Sequence, residues 1–129
     1  GVFVAVTDLL VEVHHSVRNE PLTVAYRQHW CGPHTSQWAP PHTLSRWKVA
    51  LDRAGLELHV HTDLSERHYQ RPYVALAIYL MLLQRAYQLS QWAKLEGMAS
   101  WASTQIGGVS RELLLHKGHI AYTFMVAYR

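Results

Sequence analysis

Residues 119–128 read HIAYTFMVAY, and apolar side chains occupy both of the alternating positions along this stretch. Ile120 and Val126 fall on one side, and Met125 and Ala127 fall on the other. A strand whose two faces are both apolar must be covered on both sides, which is typical of a central strand. The sequence therefore predicts a sheet with this segment in its middle, and other segments must supply the neighbouring strands.

Two segments are candidates for those neighbours. Residues 2–11 form an apolar stretch broken by two polar residues, and its first half is rich in β-branched side chains, which predicts a strand buried on both faces. In residues 56–61 apolar and polar side chains alternate, which is the pattern of a strand with one face in water. We expect this segment to be an edge strand, with Leu58 and Val60 sharing its covered face.

Helical patterns lie between the strands. Thr43 is placed to cap a helix over 44–54, which Gly55 would end in a left-handed conformation. Pro72 suits the first turn of a long helix over 73–95. The first half of this long helix is apolar all round, so we expect it to be buried or covered by a partner.

The other segments are less regular. A glycine pair at 107–108 interrupts the helical pattern, so we expect one helix over 98–105 and a separate short helix over 110–116 that ends at Gly118. Residues 12–41 contain several prolines, one glycine and two tryptophans. This composition predicts a long loop that is folded onto the rest of the protein.

Composition excludes several classes of protein. The chain has 129 residues, of which 49% are hydrophobic, and this excludes a disordered tail. The single cysteine, Cys31, excludes an intrachain disulfide scaffold and favours a reducing, cytoplasmic compartment. A net charge of +3 from scattered basic residues does not form the cationic surface that binds nucleic acid. The longest apolar run, residues 73–83, is too short to span a membrane, which takes about 20 residues.

Three stretches resemble the C-terminal half of a class I S-adenosylmethionine-dependent methyltransferase. Residues 1–8, GVFVAVTD, are similar to the fifth strand of that family's sheet, residues 47–65 to its following helix, Ala-Gly turn and sixth strand, and residues 117–129 to its closing antiparallel strand. The resemblance implies an α/β fold with a partial Rossmann-like sheet of three strands, the last one antiparallel and central. It also implies one domain over residues 1–129, in which the excursion 66–118 forms a helical lid.

The function implied by the resemblance is that of the substrate-binding half of a small-molecule methyltransferase. The family binds its cofactor in the N-terminal half, through a glycine-rich turn after the first strand and an acidic residue at the end of the second. This chain has neither, since its glycine pair at 107–108 follows a helical stretch. We therefore expect S-adenosylmethionine to bind only where a partner or a further segment supplies the site, and the chain alone to be inactive.

The resemblance also places candidate site residues at the edge of the sheet where the first two strands end. A neutral histidine there, His14 or His15, is the expected catalytic base that takes a proton from the methyl acceptor. The residues expected to contact the substrate come from this edge, from the long loop and from the excursion: Asp8, Trp30, His34, Trp38, Asp63, Tyr69, Tyr73 and His119.

Other interpretations remain open. Four residues carry ligand atoms that zinc prefers: His29, Cys31, His34 and His42. Their spacing matches no closed zinc motif, so we predict no metal site. The alternative function is a non-catalytic α+β module that binds a small ligand or serves as an accessory subunit, with a second chain or a second copy paired to the exposed edge of strand 2–11. A cone-shaped hydrolase or isomerase fold would need more strands than the sequence offers.

Overall fold

Helices lie between the three strands along the chain. A computed structural model of the protein describes residues 1–11, 20–31, 43–68 and 71–129. Its elements, in chain order, are strand β1 (Val2–Leu10), helix α1 (Pro21–Tyr26), a π-helical turn (Arg27–Cys31), helix α2 (Leu44–Arg53), strand β2 (Glu57–Asp63), a 3-10 turn (Ser65–His68), helix α3 (Tyr73–Trp92), helix α4 (Glu96–Lys117) and strand β3 (Ile120–Tyr128). The described part of the protein is therefore α/β.

β3 is the central strand of the sheet, whose order is β1-β3-β2. It pairs antiparallel with β1 along the whole of that strand and antiparallel with β2 from Glu57 to Asp63. β1 and β2 consequently run parallel to each other on either side of a reversed strand. The predicted three-stranded sheet, with its last strand antiparallel and central, is confirmed.

β2 is an edge strand, as predicted, but a bulge changes which of its side chains share a face. Leu58 lies opposite Ala127, and Val60 lies opposite Val126, so the two side chains point to opposite faces of the sheet. A register shift between them causes this, because strict alternation would have kept both on one face. The predicted shared covered face of Leu58 and Val60 is therefore wrong, and Val60 is exposed.

α2 covers one face of the sheet. Thr43 caps this helix as predicted, with its Oγ1 accepting a hydrogen bond from the backbone N–H of Arg46 at 3.3 Å. Gly55 follows the helix with a φ of +74°, which glycine adopts without strain. The ring of Trp47 packs against that of Phe3, with centroids 5.7 Å apart. The helix between β1 and β2 therefore lies on the face of β1 that carries Phe3.

The opposite face of β1 is uncovered along its first half. Val2, Val4 and Val6 are 70%, 58% and 49% exposed. The expectation that this strand is buried on both faces is wrong for the described residues, because α1 and α4 contact β1 near Asp8, at the other end of the strand. We call Val2, Val4 and Val6 the valine stripe.

α4 is one uninterrupted helix of 22 residues. The two separate helices expected over 98–105 and 110–116 are wrong, because the glycine pair lies inside α4. A Cβ atom at Gly107 would come within 2.6 Å of the carbonyl oxygen of His29, in the π-helical turn. Close packing of two backbones explains this glycine, and the helix ends as predicted at Gly118, whose φ is +71°.

The segment 12–41, expected to be a loop, contains α1 and the π-helical turn in its described part. Pro21 stands in the first turn of α1, where its missing N–H costs no hydrogen bond. α1 has only six residues, too few for an apolar periodicity to show in the sequence. The expectation of a loop is therefore wrong for residues 21–31.

The main core lies between α3, α4 and α1. Its buried side chains are Ala25, Leu76, Leu80, Leu83, Ile106, Val109 and Leu113. A second cluster joins α1 and α4 to the start of β3 and consists of Tyr26, Leu114, Leu115 and Ile120. The outer side of α3 does not take part, since Val74, Ile78 and Leu82 are all more than half exposed. The first half of α3 is thus not buried all round within the described chain.

Candidate functional site

A pair of opposite charges joins the end of β1 to α4. Arg111 donates to both carboxylate oxygens of Asp8, from Nε to Oδ2 at 2.8 Å and from Nη2 to Oδ1 at 2.7 Å. The side chains of Asp8 and Arg111 are only 11% and 14% exposed. Two parallel hydrogen bonds between charged groups fix geometry as well as adding energy. The pair therefore holds α4 against the carboxyl end of β1.

Tyr26 of α1 contacts the same carboxylate. Its hydroxyl donates to Oδ2 of Asp8 at 2.9 Å, and the residue is almost fully buried. Burial, followed by the charge of Asp8, raises the pKa of Tyr26 far above its ordinary value. Burial also raises the pKa of the Cys31 thiol. Both groups therefore keep their protons near neutral pH, and Cys31 is a poor nucleophile.

Two aromatic rings hold the guanidinium of Arg111. Its central carbon lies 5.3 Å from the ring centroid of Trp30 and 5.0 Å from that of Tyr122, which are cation–π distances. Burial acts to lower the pKa of Arg111, but its contacts with Asp8 and the nearby tyrosines together outweigh that effect, so the net shift is upward. We call Asp8, Tyr26, Trp30, Arg111 and Tyr122 the Asp8–Arg111 cluster.

The chemistry of this cluster is that of positioning. The oxygens of Asp8 accept hydrogen bonds from Tyr26 and twice from Arg111, and both donors keep their protons. A carboxylate held in this way is not available as a general base. The ring of Trp30 is about half exposed above the guanidinium, so it is the part of the cluster that a ligand can reach.

Asp63 stands at the carboxyl end of β2, as expected. Its Oδ1 accepts hydrogen bonds from the backbone N–H and the hydroxyl of Ser65. The Oγ of Ser65 accepts in turn from the backbone N–H of Tyr122 at 2.9 Å. Asp63 thus fixes the turn by which the chain leaves the sheet towards α3, while remaining exposed itself.

His119 and Tyr73 lie at the two ends of the helical excursion. The Nδ1 of His119, just before β3, is 3.8 Å from Oε2 of Glu20. The ring of Tyr73, at the start of α3, meets the ring of His116 edge-on with centroids 6.3 Å apart. Tyr73 therefore packs beside the last turn of α4.

The structure brings two of the predicted site residues together, since Asp8 and Trp30 both contact the guanidinium of Arg111. Five others lie outside the described residues, among them both candidates for the catalytic base: His14, His15, His34, Trp38 and Tyr69. The assignment of the base therefore stays a prediction. Among the residues that the structure describes, no group of three or more side chains could hold a metal ion.

A second polar site surrounds His29, which the sequence singled out only as a possible zinc ligand. Its Nδ1 lies 2.7 Å from Oγ of Ser103, a residue 74 positions away in the chain. The ring of His29 meets that of Tyr87 edge-on, at 88° and 5.1 Å between centroids. Burial lowers the pKa of His29, so the imidazole is neutral at pH 7. No local motif signals this contact, because its partners come from three separate elements.

Comparison of the chain with protein-family models, curated proteins and solved structures finds no match. Within residues 1–11, 20–31, 43–68 and 71–129, no helix combines the length and apolar character needed to cross a membrane.

Proposed function

We propose that this chain is the substrate-binding half of a small-molecule S-adenosylmethionine-dependent methyltransferase, acting with a cofactor-binding half that another segment or a second chain contributes. The main support for the proposal is the direction of the strands, since β1 and β2 run parallel on either side of the reversed β3. This is the arrangement that the resemblance implies for the last three strands of the family's sheet.

The position of the helices supports a substrate site at one edge of this sheet. β1 and β2 end at the edge where β3 begins, and the chain leaves and returns there through α3 and α4. Ligands of open α/β sheets bind beyond the carboxyl ends of the parallel strands. In this proposal α3 and α4 form the lid over the substrate, and the Asp8–Arg111 cluster fastens α4 to the sheet.

The residues of this chain do not fit the cofactor itself. Neither β1 nor β2 is followed by a glycine-rich turn, and the glycine pair at 107–108 lies inside α4. The proposal therefore assigns cofactor binding to the other half. It assigns to this chain the orientation of the methyl acceptor and the exclusion of water, which an in-line displacement requires. His14 or His15 would accept the proton.

The proposal includes a cytoplasmic location. Cys31 is a free thiol in the described part of the chain. Free thiols persist in reducing compartments.

The decisive experiment compares cofactor binding by the isolated chain and by its native complex. The natural protein is purified without denaturation, native mass spectrometry identifies what accompanies it, and both samples are titrated with S-adenosylmethionine by calorimetry. We expect cofactor binding, and transfer of a labelled methyl group, from the complex alone. Tight binding by the isolated chain would contradict the division of labour, and a complex that binds no cofactor would contradict the methyltransferase proposal.

A second candidate function is a non-catalytic module that binds another protein chain. The valine stripe favours it, together with the free edge of β1, which in the described part of the chain pairs with β3 alone. The unpaired N–H and C=O groups of an edge strand accept a strand from another chain. The expected partner is a second copy of this chain, giving a homodimer that forms without cofactor or methyl transfer.

A further inference from the structure

A groove runs between the outer side of α3 and the π-helical turn. Its volume is about 660 Å³, within the range of sites that hold small organic molecules. Met81 and Leu82 of α3 and Ile106 of α4 supply its apolar lining. The groove therefore offers room and apolar surface for a ligand with a hydrophobic body.

Every polar side chain that lines the groove can donate a hydrogen bond, and the glutamines and the neutral histidine can also accept one. These side chains come from the π-helical turn and from one face of α3: Gln28, His29, Gln84, Arg85, Gln88 and Gln91. Among the described residues that line the groove there is no aspartate or glutamate. Amide and guanidinium donors without a competing carboxylate suit a ligand that carries hydrogen-bond acceptors.

The charge in the groove comes from one residue. Arg85 makes no ion pair with any residue of the described chain. His29 adds no charge, because burial lowers its pKa and leaves the imidazole neutral at pH 7. One uncompensated positive charge matches a ligand with one negative charge.

His29 is held in place from three sides. Ser103 contacts the Nδ1 of His29, and the ring of Tyr87 stands edge-on to the imidazole. The backbone carbonyl of His29 lies so close to α4 that only a glycine, Gly107, leaves room for it. The hydroxyl of Tyr87 accepts a hydrogen bond from Gln91 at 2.9 Å. A fixed imidazole and a fixed tyrosine ring at one wall form a preorganised surface for a flat ligand.

We propose that this groove binds a small aromatic monocarboxylate, with its carboxylate on Arg85 and the glutamine amides and its ring against Met81 and Leu82. A hydroxyl on the ring would contact His29. The inference rests on the residues of the groove and holds whether or not the chain takes part in methyl transfer.

The test is a titration of the 129-residue chain, followed residue by residue by NMR, with 4-hydroxybenzoate and with its uncharged analogue 4-hydroxybenzamide. We expect saturable shifts at Gln28, His29 and Gln88, and binding of the acid about tenfold tighter than that of the amide, as a charge-assisted hydrogen bond predicts. Arg85→Gln should remove this tenfold preference. Arg53→Gln, which changes an exposed arginine at the end of α2, is the matched control and should keep it.

Several outcomes would overturn the proposal. Shifts that do not saturate, or that map away from the groove, would show that it is not the binding site. Equal affinity for the acid and the amide, or an unchanged preference in Arg85→Gln, would refute the role of the charge. Hexanoate binding as tightly as 4-hydroxybenzoate would refute the aromatic class of ligand. Circular dichroism of Arg85→Gln should match that of the wild type, since Arg85 is exposed.

Discussion

Asp8 connects three segments that are far apart in the sequence. Its carboxylate receives hydrogen bonds from Tyr26, 18 positions away, and from Arg111, 103 positions away. A buried charge is stable only with such partners. Removing one partner lowers the free energy of unfolding by more than the contact itself contributes. The stability of the protein should therefore respond strongly to changes at this carboxylate.

Arg111→Met should lower the free energy of unfolding by about 3 kcal/mol, because it leaves the mostly buried carboxylate of Asp8 without its countercharge. Urea denaturation measures this loss. The double variant Asp8→Asn/Arg111→Met should recover part of it, since no charge is then left unpaired. Lys117→Met is the control. It breaks a 3.9 Å ion pair with Glu20 in which the two side chains are 34% and 38% exposed, so it should cost less than about 1 kcal/mol. Equal losses in the two single variants would refute the role of the cluster.

Tyr26 should make stability fall at high pH. Its folded-state pKa is raised above the ordinary value of 10.0, so below that pH both states hold the proton and the contribution of Tyr26 is complete. Above about pH 10 the unfolded chain loses this proton while the folded protein keeps it, and stability drops by about 1.4 kcal/mol per pH unit. Unfolding measured between about pH 10 and pH 11 should therefore show a shallower slope for Tyr26→Phe than for the wild type. Tyr128→Phe, a change at an exposed ring, should keep the wild-type slope.

The residue-scale site could be predicted only in part. Asp8 was expected at the site because the resemblance placed the strand end there, and Trp30 because a large apolar side chain in a loop with proline and glycine either packs down or faces a ligand. Tyr26 and Arg111 were not, because nothing in the local pattern marks an arginine on a helix as the partner of a carboxylate about a hundred residues away. The contact between His29 and Ser103 was not predicted either, because it depends on the packing of segments that are far apart in the chain. No spacing of residues within a single sequence indicates such a contact.

At the scale of elements, the glycine pair at 107–108 allows the effect of packing on stability to be separated from the effect of helix propensity. Both residues lie inside α4, yet a Cβ atom at Gly107 would meet the backbone of His29, whereas one at Gly108 would meet nothing within 4 Å. The same substitution at neighbouring positions should therefore have opposite effects.

Gly107→Ala should lower the melting temperature and cost about 1–3 kcal/mol, because α4 and the π-helical turn must move apart. Gly108→Ala should instead stabilise the protein by up to about 1 kcal/mol, since alanine is the better helix former. Thermal unfolding of both variants followed by circular dichroism gives the comparison. If both variants gain stability, the close approach at Gly107 is wrong.

The elements themselves were largely predictable where a local rule applies. The strands, the Thr43 cap and the helix-ending glycines at 55 and 118 all follow from periodicity and backbone chemistry within a few residues. The bulge in β2 and the continuity of α4 did not follow, because each depends on a neighbouring strand or turn. A glycine read from the sequence alone indicates a break, whereas a glycine packed against another backbone indicates a contact.

For the whole molecule, the valine stripe and the edge of β1 form the surface where association is expected. Val4→Lys places a charge in the middle of that surface, and lysine on an edge strand opposes pairing with another chain. If the second candidate function is correct, wild-type protein should show a concentration-dependent rise in mass by light scattering, and Val4→Lys should abolish it. Val49→Lys, at an exposed valine of α2, should behave like the wild type. A wild type that stays monomeric at high concentration would refute this function.

The central place of β3 also constrains the order in which the protein acquires its structure. In the described chain β1 and β2 both pair with β3. About 110 residues separate Leu10 of β1 from its partner Ile120. The α3–α4 hairpin, by contrast, closes over a short connection, and contacts between sequence neighbours form faster than distant ones. Pulse-labelled hydrogen exchange during refolding should therefore protect amides of this hairpin before those of β1. Until β3 has formed, β1 and β2 both lack the partner they have in the described sheet, and their unpaired backbone groups can pair with other chains.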